Sequence, residues 1–265
     1  MIQGRLAGKT AIVTGGSSGI GAAITQRFIE QGANVHIFDI NFSDAQNFAE
    51  GLNQGAGTCH AHQCDVADGS SVQSLVNEIT GTERVDILVN NAGIGFIGNV
   101  EHTTEDDMDR LYAVNVKGVF NCISAVTPHF KTKGGGVILN MASVAATMGI
   151  PDRFAYSMTK GAVLTMTYAM AVDYVDDNIR CNCISPARVH TPFVDAYLDK
   201  NFPETKDEEF ARLCATQPIG RMAKPREIAD LAVYLCSDEA SFITGTDYPI
   251  DGGFLKLPHK LTRNS

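Results

Sequence analysis

An α/β fold built on one doubly wound parallel sheet of about seven strands is what this sequence predicts. Three observations carry that expectation. Short runs rich in Val and Ile recur along the chain, longer segments of helical period separate them, and a glycine cluster directly follows the first run. With 265 residues, 44% of them hydrophobic, the chain is long enough to fill one large core and short for two. One domain spanning 1–265 is expected.

The first strand is expected over 9–14. It runs into Thr14-Gly15-Gly16-Ser17-Ser18-Gly19-Ile20-Gly21 and a helix starting near Ile20. Glycines there let backbone N–H groups approach a pyrophosphate, and the helix N-terminus adds partial positive charge. Alone, such a cluster also fits a tight turn; its place between a strand and a helix points to a dinucleotide. The second strand, 34–40, carries Asp39, 18 residues beyond Gly21. An acid there can bind both ribose hydroxyls of NAD and repel the extra phosphate of NADP, and no Arg or Lys stands in the turn or just after Asp39. Asp39 could instead cap the helix expected from Ser43.

Strands at 58–65 and 85–90 follow, with helices from Ser70 and Thr104; Thr104 before Glu105, Asp106 and Asp107 reads as a cap with an acidic first turn. The fourth strand opens into Asn90-Asn91-Ala92-Gly93. A fifth strand at 136–141 precedes Ser143, and a helix from Ala155 carries Tyr156 and Lys160, one turn apart on one face. A phenol is a poor base at neutral pH unless a neighbouring cation lowers its pKa, and Lys160 can supply that charge. Taken alone, the pair also fits a solvated helical face. The sixth strand is expected over 179–185, the last helix from Pro225 with Glu227, and the seventh strand over 247–250. The stretch 190–220 breaks the β-α rhythm despite helix-like spacing; an insertion at about 188–220 covering the active site is expected.

Bulk properties narrow the function. A net charge of −9, a pI near 5.2 and the lack of any Lys/Arg-rich block argue against nucleic acid, leaving a small-molecule substrate as the expected partner. Neither a signal peptide nor a membrane span is predicted, so cytoplasmic residence is expected. The seven cysteines form no Cys-x-x-Cys pair and no metal spacing, so no metal is expected; Cys181 and Cys183 are read as a buried, reduced pair on one sheet face.

With the glycine turn, Asn90 to Gly93, Asn115, Ser143, Tyr156 and Lys160 in this order, the chain from Lys9 to Gly253 resembles the short-chain dehydrogenase/reductase family. The resemblance implies a Rossmann-type fold, an NAD cofactor, and hydride transfer between a nicotinamide and a secondary alcohol or ketone. By the same resemblance Tyr156 is the general acid/base, Lys160 binds the nicotinamide ribose and depresses the Tyr156 pKa, Ser143 bonds the substrate oxygen, and Asn115 supports a water chain to Lys160. Cofactor contacts are implied at Gly15, Ser17, Ser18, Gly19, Ile20, Gly21, Asp39, Asp65, Val66, Asn91, Ala92, Gly93, Tyr156, Lys160, Pro186, Val189 and Thr191. One departure stands out: the family has Pro-Gly where this chain has Pro186-Ala187, and alanine resists positive φ.

For the substrate, Arg153, three before Tyr156, and Arg188 and His190, after the sixth strand, are expected to converge on an anionic or polyhydroxylated ligand. Arg153 could instead pair with Asp152 or a surface acid, and Arg188 could brace the covering segment. Local similarity to cytosolic type 2 3-hydroxybutyrate dehydrogenase and deoxy-sugar-acid dehydrogenases implies a small hydroxy acid gripped by Arg153. Alternatives are a dehydrogenase of a neutral sugar such as L-fucose, a 3-oxoacyl-carrier-protein reductase, which Asp39 and the acidic charge oppose, and a non-catalytic dinucleotide sensor, which the complete Tyr/Lys/Ser/Asn set opposes. The helix over 155–175 and the tail 251–255 match elements through which family members form tetramers, so a homotetramer is expected.

Overall fold

In the computed structural model, residues 4–52 and 56–257 are described; residues 1–3 and 258–265, the ends of the expected 1–265 domain, lie outside the described residues. Alternating side chains on the strands divide the interior into two cores. β1 (Thr10–Thr14) sends Ala11 and Val13 to one face and Ile12 to the other. β2 (Asn34–Asp39) sends Val35 and Ile37 one way and Phe38 the other, and β4 (Ile87–Asn90) splits Ile87 and Val89 from Leu88. This period of two on strands buried on both faces is what parallel β-α-β winding requires.

On the first face lie α1 (Gly19–Glu30), α2 (Phe42–Leu52) and α9 (Pro225–Cys236), contributing Ile24, Phe28, Ala45, Ile228 and Val233. On the second lie α3 (Gly69–Thr82), α5 (Gly118–Thr132) and α6 (Phe154–Asp173), contributing Val72, Val76, Phe130 and Val163. With β3 (Cys59–Gln63), β5 (Gly136–Met141), β6 (Ile179–Pro186) and β7 (Asp247–Ile250), the seven strands order as β3-β2-β1-β4-β5-β6-β7, all parallel. The order reverses between β1 and β4, so the carboxyl ends of those strands open the crevice where such sheets bind ligands.

The expected strands 58–65 and 85–90 are shorter in the structure. At the second of them the Val85 N–H leaves the ladder to bond His129 Nε2 at 3.1 Å. Cys181 and Cys183 are fully buried free thiols on the same face. Thr104 caps α4 (Glu105–Tyr112) in a reciprocal box with Asp107, as its sequence predicts. One element escaped the sequence reading: α4 passes through a π-turn, Ala113–Lys117, directly into α5. The segment expected to cover the site folds as α7 (Pro192–Asn201) and α8 (Lys206–Ala215), held by a small core of Leu198, Leu213 and Met222. No helix among the described residues is long and apolar enough to cross a membrane.

Candidate active site

A cleft of about 850 Å³ opens at the switch between β1 and β4, floored by the carboxyl ends of the strands and roofed by α7 and α8. Gly15, Ser18, Gly19, Ile20, Asn91, Ala92, Gly93, Ser143, Tyr156, Lys160, Pro186, Val189 and Thr191 line it together, as do Arg153 and Arg188.

The glycine turn has a shape that suits a pyrophosphate. Gly15 and Gly19 adopt φ of 60° and 52°, which L side chains rarely take, and Ser18 at the N-cap of α1 makes no side-chain cap, leaving first-turn N–H groups for a ligand. Gly21 has a different duty from the expected contact. It lies against Gly15, where a Cβ would stand 2.0 Å from the Gly15 carbonyl oxygen, so it packs the turn and does not line the cleft. Ser17 likewise turns away: its hydroxyl donates to Asp39 Oδ2 at 2.5 Å, while Asn41 N–H donates to Asp39 Oδ1 at 3.1 Å. Asp39 is thereby fixed at the end of β2 with 8% exposure, and it too stands outside the lining of the cleft. Asp65 and Val66, after β3, stand outside the cleft: Asp65 accepts from Ala67 N–H at 2.9 Å, and the Val66 carbonyl accepts from Asn121 Nδ2 at 2.8 Å.

The catalytic set comes from three elements. Ser143 ends the β5 loop, its hydroxyl accepting from Ala145 N–H at 3.2 Å and hydrogen-bonding the Tyr156 hydroxyl. Lys160 Nζ is nearly buried and donates to the Met141 carbonyl at 2.8 Å. Gly93 keeps this corner open, since a Cβ there would lie 3.2 Å from Asn115 Oδ1 and 3.6 Å from Lys160 Nζ.

Burial raises the Tyr156 pKa above the usual phenol value, while the Ser143 hydrogen bond and the Arg153 charge pull it back. Burial instead brings Lys160 from 10.5 down to about 8. Lys160 Nζ is 5.7 Å from the phenol ring centroid, and its nearest polar partner is a carbonyl.

Asn115 sits behind the cleft, not in it. In the π-turn, 1% exposed, it accepts from Ile94 N–H at 2.8 Å and donates to Ile94 O and Thr159 Oγ1 at 2.9 and 3.1 Å. It therefore positions the loop after β4 against α6. His190, expected at the lip, is turned outward: Nε2 pairs with Asp195 Oδ1 at 2.9 Å and the ring stands edge-on to Phe210, so it does not line the cleft. Arg153 donates Nη1 to the Asp152 carbonyl at 3.0 Å, an acceptor that also takes Gly98 N–H at 2.9 Å. Asp152 itself holds φ of 56°, which turns the chain into α6. Ala187 needs no such backbone: among the described residues only Asp152 and Asn178 are non-glycines at positive φ, so the turn accommodates alanine in place of the family's glycine.

Sequence reasoning missed Arg110, Phe193, Tyr197 and Gln217, all of which line the cleft. They arrive from α4, α7 and the end of α8, and no local motif marks them.

The family model described as Enoyl-(Acyl carrier protein) reductase matches residues 15–255. Oxidoreductase UcpA of Salmonella typhimurium is 38% identical over 253 residues, 95% of this chain and 96% of that protein. The 2-(R)-hydroxypropyl-CoM dehydrogenase of Xanthobacter autotrophicus is 38% identical over 263 residues, covering 94% of this chain and 99% of the relative. The crystal structure of L-sorbose reductase from Gluconobacter frateurii, complexed with NADPH and L-sorbose, superposes with a TM-score of 0.91 at 30% identity over 97% of this chain and 100% of that one. From these matches, the seven-stranded doubly wound sheet and the Ser143, Tyr156 and Lys160 constellation, the chain belongs to the short-chain dehydrogenase/reductase family of oxidoreductases.

Proposed function

We propose that this protein is an NAD(H)-dependent oxidoreductase that interconverts a secondary alcohol and a ketone on a small hydroxy acid or sugar-derived acid. The observation that carries the substrate class is the charge of the cleft. Arg110, Arg153 and Arg188 line it beside Ser143 and Tyr156, and no Asp or Glu is among its described lining residues. A carboxylate there meets guanidinium donors, of which Arg110 already pairs with Asp107 at 3.5 Å while Arg153 and Arg188 have no carboxylate partner among the described residues.

The chemistry follows from the geometry. A bound nicotinamide dinucleotide supplies or accepts the hydride. Gly15, Ser18, Gly19 and Ile20 would hold its pyrophosphate, Asp39 its adenosine ribose, and Lys160 its nicotinamide ribose. Ser143 donates a hydrogen bond to the substrate oxygen, which steadies developing negative charge; Tyr156 gives that oxygen a proton in reduction and takes it back in oxidation. A raised phenol pKa suits the donor role, because it keeps the proton on Tyr156 until charge appears on the substrate. NAD is favoured over NADP by Asp39, whose carboxylate is fixed by Ser17 and Asn41 and, among the described residues, has no cation attached to it.

A second reading, a dehydrogenase of a neutral sugar or polyol such as L-fucose, is favoured by the likeness to L-sorbose reductase. A small-molecule partner alone, a single catalytic domain and cytoplasmic residence belong to the first reading; the seven free thiols support a reducing compartment. So does a homotetramer, for which Phe120 on α5 and Tyr168 and Val172, one turn apart on α6, offer exposed apolar contacts.

The test is kcat/KM for 3-hydroxybutyrate, a deoxy-sugar acid, fucose and an acyl thioester, with NADH or NADPH regeneration read by absorbance. A hydroxy acid is expected to lead, and Arg153→Met to lower its kcat/KM by about one to two orders of magnitude while sparing neutral alcohols. Better turnover of fucose with a silent Arg153→Met moves the assignment to the neutral sugar.

A further inference from the structure

Resting on the anionic-substrate reading, we infer that Thr216 is a positioning residue that fixes the guanidinium of Arg188 as a second carboxylate anchor of the cleft beside Arg153. Arg188 follows β6 and its backbone is pinned by a parallel bridge: Ala223 N–H donates to Arg188 O, and His190 N–H donates to Ala223 O, each at 2.9 Å. Its side chain is half-buried in the cleft wall. Nε donates to Thr216 Oγ1 at 2.9 Å, and among the described residues no carboxylate pairs with it. The charged groups that act on it are cations, Arg153 and Arg212, and Arg212 is already bound to Glu209 at 2.7 Å.

Thr216 is well suited to this duty because its hydroxyl is saturated. It donates to Leu213 O at 2.6 Å at the end of α8, and accepts from Arg188 Nε and from Gln217 Nε2, each at 2.9 Å. One donor and two acceptor positions are all a hydroxyl has. Held through Nε, Arg188 keeps both terminal nitrogens for a ligand, which is the fork that takes a carboxylate bidentately. Arg153, by contrast, spends Nη1 on the Asp152 carbonyl. Because Thr216 does not itself line the cleft, it acts only through Arg188 and Gln217.

The experiment compares wild type, Arg188→Met, Thr216→Val and Thr216→Ser on three hydroxy acids (3-hydroxybutyrate, glycerate, gluconate) and on two neutral alcohols (1,3-butanediol, threitol). For the best hydroxy acid, Arg188→Met is expected to lower kcat/KM by about 10- to 100-fold. Thr216→Val is expected to raise KM about five- to tenfold with kcat within about threefold, and Thr216→Ser to restore it; neutral alcohols change less than about twofold. Should Thr216→Val not fold, Arg188→Lys serves as the second variant. It keeps the charge without the fork or the Nε donor, and an increase in KM of about fivefold or more is expected. No turnover of any hydroxy acid, or a silent Arg188→Met, overturns the anionic-substrate reading. A large effect of Arg188→Met with an unchanged KM in Thr216→Val, or an equal loss on neutral alcohols, overturns the role of Thr216 alone.

Discussion

Replacing Lys160 with methionine separates what this side chain does for chemistry from what it costs the fold. Burial brings its pKa from 10.5 to about 8, so at pH 7 without cofactor the folded protein carries an ammonium that would be better solvated in the unfolded chain. A shift of that size corresponds to about 3 kcal/mol. The hydrogen bond from Nζ to the Met141 carbonyl offsets only part of it, so Lys160→Met is expected to be more stable than wild type at pH 7, while turnover falls at least 100-fold. The sign follows from proton counts. Between pH 8 and 10.5 the unfolded lysine holds its proton and the folded one has lost it, so wild-type stability rises with pH relative to the variant, by about 3 kcal/mol across that window. Urea denaturation of both proteins at pH 7, 8, 9 and 10.5 reads this directly, since every other titrating group, including the buried thiols, cancels in the difference. A difference that stays flat with pH, or a variant less stable than wild type at pH 7, refutes the reasoning.

Two further expectations are independent of that one. His36 Nδ1 and His62 Nε2 lie 2.9 Å apart, with His36 Nε2 2.9 Å from Glu83; burial lowers both pKa values, that of His62 to about 4. The unfolded chain therefore binds protons first as pH falls, and stability should drop between about pH 6.5 and 4 by about 3 kcal/mol, a drop that His62→Asn reduces; equal acid sensitivity of the two proteins would count against it. Asp39→Ala is expected to narrow the ratio of kcat/KM for NADH over NADPH, and a wild-type preference for NADPH would overturn the cofactor assignment.

The parts of the site legible in the sequence are those whose chemistry lies within one turn or one strand end. The glycine cluster needs consecutive residues to wrap a pyrophosphate, and Tyr156 and Lys160 need only helical spacing. Contacts that depend on how distant elements meet were not legible. Arg110 enters from α4, and Thr216 reaches Arg188 only because α8 ends beside the loop after β6. His190 was misplaced because its direction is set by Asp195 on α7. The π-turn at Asn115 left only a weak trace, the β-branched Val114 and Val116 flanking it in an otherwise helical run. Helical spacing makes Tyr156 and Lys160 neighbours, but the burial that raises the one pKa and lowers the other comes from the packing of distant elements.

Tyr156→Phe tests the chemistry at its centre. The substitution removes the hydroxyl that meets Ser143 and leaves the glycine turn, Asp39 and Lys160 in place, so binding and proton transfer can be measured apart. Steady-state turnover with the best substrate, alongside NADH titration followed by its fluorescence, is the measurement. We expect turnover to fall by at least 100-fold, with the NADH dissociation constant within about threefold of wild type. A variant that keeps more than about one per cent of the wild-type rate would contradict the assignment of Tyr156 as the acid/base, and with it the reaction proposed for this cleft.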